Sequence, residues 1–179
     1  MLVLISGAPG SGKTTLARHL GDVLHLPVVS RDLIKTGMHV TVGSEDPTEI
    51  HRFAAAAFDL FFDVVAKLLR GGSSVIAEAA FHAGLSEPDI GRLTEHADVL
   101  HLTTRPPHDL ALERYRQRAE RGERHPAHDD LGQVERLASM AAVYTLDEPR
   151  PMLIVDTSDG YEPGIDEIVR AIEAGRPSF

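Results

Sequence analysis

Short apolar runs, most of them continuous, recur along this chain and alternate with longer amphipathic stretches. The runs fall at residues 2–6, 27–29, 74–78, 99–103 and 152–156. Continuous rather than alternating apolar character predicts strands buried on both faces. Between them, residues 14–24 place Leu16, Leu20, Val23 and Leu24 at helical spacing. A longer amphipathic segment at 48–70 is stopped by Gly71-Gly72. Residues 106–120 open with proline in the first turn, and 131–146 and 162–174 complete the helical set. Strand–helix alternation predicts right-handed crossovers and a parallel sheet covered on both faces. No repeat or low-complexity stretch divides the chain, so one domain over residues 1–179 is expected.

Composition narrows the class. At 42% hydrophobic and 25% charged, 179 residues suffice for an ordinary globular core. No apolar run reaches the roughly 18 residues a membrane span needs. No basic leader precedes the first run, so a secretory signal is not expected. The chain has no cysteine, which removes disulfides and thiolate metal sites and fits a cytoplasmic location. With 27 acidic against 18 basic residues the net charge is −9. An overall basic footprint for nucleic acid is therefore missing. The arginines nevertheless gather between positions 105 and 124.

The first apolar run leaves through Gly7-Ala8-Pro9-Gly10-Ser11-Gly12-Lys13-Thr14, followed by Thr15. This fits G-x-x-x-x-G-K-[ST] completely. The chemistry explains the spacing. Glycines let successive backbone N–H groups wrap a polyphosphate, and the next helix aims its positive N-terminal end at the same anion. Lys13 then reaches the outer phosphates of ATP or GTP, and the Thr14 hydroxyl ligates Mg²⁺. A plain strand–turn–helix corner is the competing reading. The preceding apolar run and following amphipathic segment favour the phosphate cradle. A dinucleotide-binding turn is disfavoured, because G-x-G-x-x-G spacing is missing.

The second apolar run delivers Ser30, Arg31 and Asp32 to its C-terminal edge, where ligands bind in open α/β sheets. Asp32 there accepts the proton of an attacking hydroxyl, or else caps a helix starting at Leu33. The third run ends at Glu78. Glu78 either holds Mg²⁺ or its waters, or bonds the substrate with help from His82; a solvated strand end is the plainer alternative. Arg114, Arg118 and Arg121 share a helix face, and Arg124 follows Gly122. Such arginines close over a transferring phosphoryl group, or pair with Glu113, Glu120 and Glu123 on a solvated surface. His125, His128, Asp129 and Asp130 form only a weak ligand pattern, and zinc is not expected. Residues 36–47 form either part of an acceptor pocket or a mobile connection.

Together these motifs resemble the small P-loop kinases of the zeta-toxin, chloramphenicol phosphotransferase and polynucleotide kinase group. GAPGSGKTT and SRDLIK match the polynucleotide kinase motifs; VIAEAAF resembles the phosphotransferase. The resemblance implies a three-layer α/β sandwich around a five-stranded parallel sheet of order 2-3-1-4-5. It implies Asp32 as general base, Arg31 among substrate-facing residues, and an arginine-rich lid over about 115–130 with Arg121 and Arg124 at the transferred group. IVDTSDG would border the nucleotide base and Arg118 would cover its other face. The expected reaction moves the γ-phosphoryl of ATP or GTP, with Mg²⁺, to a small-molecule hydroxyl, an antibiotic or nucleoside-like metabolite among the candidates. A regulatory ATPase and a polynucleotide 5′-hydroxyl kinase are the alternatives. A monomer or homodimer is expected. The chain departs from the group where alanines follow Glu78 and relatives often carry two polar residues.

Overall fold

A computed structural model of the chain describes residues 1–43, 46–122, 141–146, 149 and 151–175. The five apolar runs become strands β1 (Leu2–Ser6), β2 (Val28–Ser30), β3 (Val75–Glu78), β4 (Val99–Thr104) and β5 (Met152–Val155). They form one parallel sheet in the order β2-β3-β1-β4-β5. Every residue of β1 and β3 is buried, which explains why those runs show no polar alternation. Helices α1 (Lys13–Leu24), α2 (Arg31–Val42), α3 (Pro47–Arg70), α4 (Glu87–Thr94), α5 (His108–Glu120) and α6 (Ile165–Ala174) connect and cover the strands.

Two cores result, one on each face of the sheet. On one side Leu16 and Leu20 of α1 and Ile168 and Ile172 of α6 pack on Val3, Ile5 and Leu102. On the other, Phe61, Val65 and Leu69 of α3 and Ile90 and Leu93 of α4 pack on Leu2, Leu4 and Ala77. Phe61 and Phe81 are fully buried and sit 5.8 Å apart between ring centroids. Truncating either to alanine removes a large apolar surface and leaves a cavity, a loss of about 3–5 kcal/mol.

The structure differs from the sequence expectation at several elements. Residues 36–42 are not a mobile connection; they continue α2, which packs against α3, and residues 44 and 45 of the expected 36–47 segment lie outside the described residues. Helix α4 was not expected at all. It is eight residues long and its sequence mixes Gly91 and Pro88 with only two buried apolar positions, Ile90 and Leu93. Helix α5 starts at His108, after two prolines, and α6 at Ile165. Most of the helix expected over 131–146 lies outside the described residues; its described end is a 3₁₀ turn at Ala141–Tyr144.

Candidate active site

The glycine-rich turn is held by three neighbouring elements. Gly7 has φ +144° and Gly10 φ +81°, values that suit glycine. Both positions also lack room for a side chain. A β-carbon on Gly7 would stand 2.3 Å from Thr104 Oγ1, and one on Gly10 would stand 2.0 Å from the Ala111 carbonyl oxygen of α5. The Ser11 and Thr104 hydroxyls are 2.6 Å apart. Thr104 donates to the Ser6 carbonyl at 3.1 Å, and Thr157 donates to the Ser11 carbonyl at 2.8 Å. Arg114 of α5 reaches the same corner, donating to Thr157 Oγ1 at 3.4 Å and to the Ser158 carbonyl at 2.9 Å.

Below this turn lies a buried polar group on β1 and β4. His101 is fully buried, with Nε2 2.6 Å from Ser6 Oγ and 3.1 Å from Thr103 Oγ1. Burial pushes the imidazole down to about 4, with a lesser contribution from Arg105, against the opposing pull of the Pro149 carbonyl. His101 is therefore neutral at physiological pH.

Lys13 opens α1 and is itself buried, its Nζ donating to the Ala8 carbonyl at 3.3 Å. The ammonium group thus folds back over the turn it follows. Thr14 comes next, and its hydroxyl lies 3.3 Å from Glu78 Oε1 and 3.4 Å from Oε2. Glu78 ends β3, in register with Ile5 of β1 and Ser30 of β2. It is 2% exposed, so it is not a solvated strand end. Burial pushes its carboxyl above the ordinary carboxylate range. Lys13 and the hydrogen bonds from Ser30 and Thr14 oppose that rise, while the Asp32 charge adds to it.

Asp32 stands beside this group for a clear local reason. Ser30 occupies the N-cap position of α2, with extended backbone (φ −112°, ψ 122°). Its hydroxyl does not cap the helix; it donates to Glu78 Oε1. Asp32 is therefore the second residue of α2 and not its cap, which removes the capping alternative. Its carboxylate is partly exposed and accepts from Arg31 Nη1 at 3.2 Å.

The structure brings together Lys13, Thr14, Glu78 and Asp32, with Ser30 as a bridge that sequence reasoning missed. A serine before R-D offered no signal of its own. The arginine segment divides. Arg114 ties α5 to the turn after β5. Arg118 places its guanidinium 5.4 Å from the centre of the Tyr115 ring. Arg121 is exposed at the end of α5, its Nη2 3.5 Å from Gln117 Oε1. Arg124 and residues 123–130 of the expected lid, including the His125–Asp130 pattern, lie outside the described residues. His82 follows β3 and packs edge-on against Tyr144, centroids 5.1 Å apart. Thr15 is exposed on α1, next to Thr14. Between the glycine turn, the start of α5 and Tyr144 is a cavity of about 230 Å³.

Residues 2–146 fit the sequence profile of the AAA domain, from β1 to the end of the 3₁₀ turn. The chain belongs to this AAA domain family. The AAA domain here is 33% identical to the cytidylate kinase of Pyrobaculum neutrophilum over 90 residues, 49% of this chain and 48% of that enzyme. The chain thus spans about half the length of that relative. Among solved structures, a candidate kinase from Chloroflexus aurantiacus superposes with a TM-score of 0.84 at 28% identity, over 98% of each chain. Kti12 from Chaetomium thermophilum shares the fold, with a TM-score of 0.70 and 20% identity over 99% of this chain and 100% of its own chain. The sheet order and the glycine turn are those of a P-loop kinase fold.

Proposed function

We propose that this AAA domain is a phosphotransferase that moves the γ-phosphoryl group of ATP or GTP to a hydroxyl of a small molecule. The observation that carries this reading is the meeting of Lys13, Thr14, Glu78 and Asp32 at the C-terminal edge of β1, β2 and β3. A hydrolytic NTPase also holds Mg²⁺ at a strand-end carboxylate and orients a water, so Glu78 suits either reading; the second, ligand-accessible carboxylate of Asp32 suits an enzyme with an acceptor hydroxyl to orient.

The backbone amides of residues 7–14 bind the phosphate chain, and Lys13 bridges its outer phosphates. The Thr14 hydroxyl and Glu78 carboxylate are hard oxygen donors within one hydrogen bond of each other, a donor set that fits Mg²⁺. Mg²⁺ commonly takes one or two protein oxygens and completes its shell with phosphate and water. No cluster of three or more metal-ligating side chains is therefore required, and none occurs among the described residues. When bound, the ion neutralises charge on the phosphate oxygens. Asp32 orients the acceptor hydroxyl and takes its proton. The new bond forms between acceptor oxygen and γ-phosphorus, and the bond to the β–γ bridging oxygen breaks. The nucleoside diphosphate leaves with that oxygen. Arg121 and Arg124 are the proposed lid cations, Arg118 a nucleotide contact, and His82 an acceptor-side group.

An acceptor screen tests the proposal. Protein, Mg²⁺ and ATP or GTP meet pools of sugars, nucleosides and antibiotics, and mass spectrometry detects an added phosphoryl group. Nucleoside monophosphates belong in the screen because the matched relatives from Pyrobaculum are cytidylate kinases. A hydroxyl-linked product that falls ~10²–10⁴-fold in Asp32→Asn is expected. Nucleotide hydrolysis with no phosphorylated product, unchanged in Asp32→Asn, would overturn the reading.

A further inference from the structure

We propose that Arg31 is a positioning residue for Asp32 and does not itself bind substrate, an inference that rests on the phosphotransferase reading above. Sequence reasoning placed Arg31 among the substrate-facing groups. The structure gives its guanidinium three partners within the protein. Nη1 donates to Asp32 Oδ1 at 3.2 Å, Nη2 donates to the Ala54 carbonyl of α3 at 2.9 Å, and the group lies 4.5 Å from the centre of the Phe58 ring. Its side chain is only 14% exposed, against 32% for Asp32. The cation is the more enclosed partner, and the carboxylate is the one that solvent and ligand can reach.

This arrangement is more than an ion pair between neighbours in sequence. Adjacent side chains on a helix point in different directions and do not ordinarily meet. Here the guanidinium turns across α2 because α3 offers it a carbonyl and an aromatic face. Phe58 is in turn packed against Phe62 and Phe81, at 6.1 and 6.4 Å between centroids, within the aromatic core. The plane of the guanidinium is thus fixed by residues that belong to the rigid part of the fold. A planar fork held at two points transmits that rigidity to the third. Among the described residues, Asp32 is the one carboxylate within ion-pair distance of Arg31. Glu78 from β3 interacts electrostatically with Asp32 and with Lys13 of α1. Arg31 holds the Oδ1 oxygen of Asp32.

The functional consequence concerns orientation. In-line phosphoryl transfer depends on where the attacking oxygen sits, and a displacement of ~1 Å costs about 10²-fold in rate. A carboxylate free to rotate about its χ2 bond aims its proton-accepting oxygen over a wide arc. With Oδ1 anchored, that arc closes. Loss of the anchor therefore lowers turnover and leaves the phosphate cradle, on the other side of Glu78, intact.

A double-mutant cycle on the whole chain tests this, using slow release of phosphate from γ-labelled ATP with Mg²⁺, water acting as the acceptor. Arg31→Gln is expected to lower kcat roughly 10- to 100-fold with KM for ATP unmoved. Arg31→Lys, which keeps the charge, recovers part of the loss. The decisive variant is Arg31→Gln with Asp32→Asn. If Arg31 acts through Asp32, the double variant is no slower than Asp32→Asn alone, within about twofold. Losses that multiply, or an Arg31→Gln variant that changes KM and not kcat, overturn the assignment. Should Arg31→Gln unfold below assay temperature, Arg31→Lys replaces it in the cycle, and a full multiplicative loss there has the same meaning. Wild-type turnover in Asp32→Asn, by contrast, would remove the general base itself and with it the proposed function.

Discussion

His101 should make this fold sensitive to acid. The imidazole is fully buried on β4 against Ser6 and Thr103, and burial pushes it from 6.5 down to about 4. The unfolded chain therefore binds a proton that the folded chain refuses between those two values. Stability from this residue is fully present above pH 6.5, falls as pH drops below it, and is wholly lost below about 4. Integrating the linkage gives about 2 kcal/mol lost at pH 5 and about 3 kcal/mol at full protonation. That is a large share of the ~5–15 kcal/mol that holds a typical domain. The assay is urea unfolding followed by circular dichroism at pH 7.5 and 5.0, on the wild type and His101→Gln. Glutamine places an amide nitrogen near the same position and does not titrate. Other titrating groups act in both proteins and cancel in the comparison. The wild type should lose about 2 kcal/mol more than the variant between the two pH values. Equal losses would refute the argument that His101 is held neutral by the fold.

Three further outcomes follow from the site. Glu78→Gln should raise the urea midpoint above that of the wild type at neutral pH and slow turnover. The raised carboxyl contributes stability below the ordinary carboxylate range that is lost as pH rises, so the two midpoints should converge in acid; a midpoint lowered at pH 7.5 would contradict this. Gly10→Ala must force the loop away from the Ala111 carbonyl, and should weaken binding of a non-hydrolysable ATP analogue by calorimetry at least ~10-fold; unchanged affinity would mean the loop tolerates the clash. Arg114→Ala should cost about 1.5–3 kcal/mol in urea unfolding, because its charged hydrogen bond to the Ser158 carbonyl fixes the turn after β5; an unmoved midpoint would show the contact is idle.

Much of the sheet was legible from the chain because β1 and β3 are buried on both faces and leave nearly continuous apolar runs. Their order came from the resemblance, since no local pattern encodes which strand lies beside which. The glycine turn was legible for a stricter reason. Positive φ and the nearness of Thr104 and Ala111 forbid side chains at Gly7 and Gly10, so the requirement is written into residue type. Helix α2 was harder to see. Thr36, Gly37, Thr41 and Val42 are poor helix formers, and packing against α3 overrides that local preference. The roles of Ser30, Arg31 and Arg114 were hidden because each depends on a partner far along the chain: Glu78, Ala54 and Ser158. A sequence shows that an arginine is present, and only the fold decides which way it turns.

The stapling of the glycine turn by Thr104 and Thr157 bears on how the chain matures during synthesis. Ser11 meets Thr104 across 93 residues and Thr157 across 146. The turn leaves the ribosome well before the hydroxyls that hold its shape. Nascent chains shorter than β5 and the turn beyond it would carry the full glycine motif without a finished cradle. Competence to hold a nucleotide would then switch on late and abruptly, making ligand capture by stalled nascent chains a timer for completion of the whole sheet.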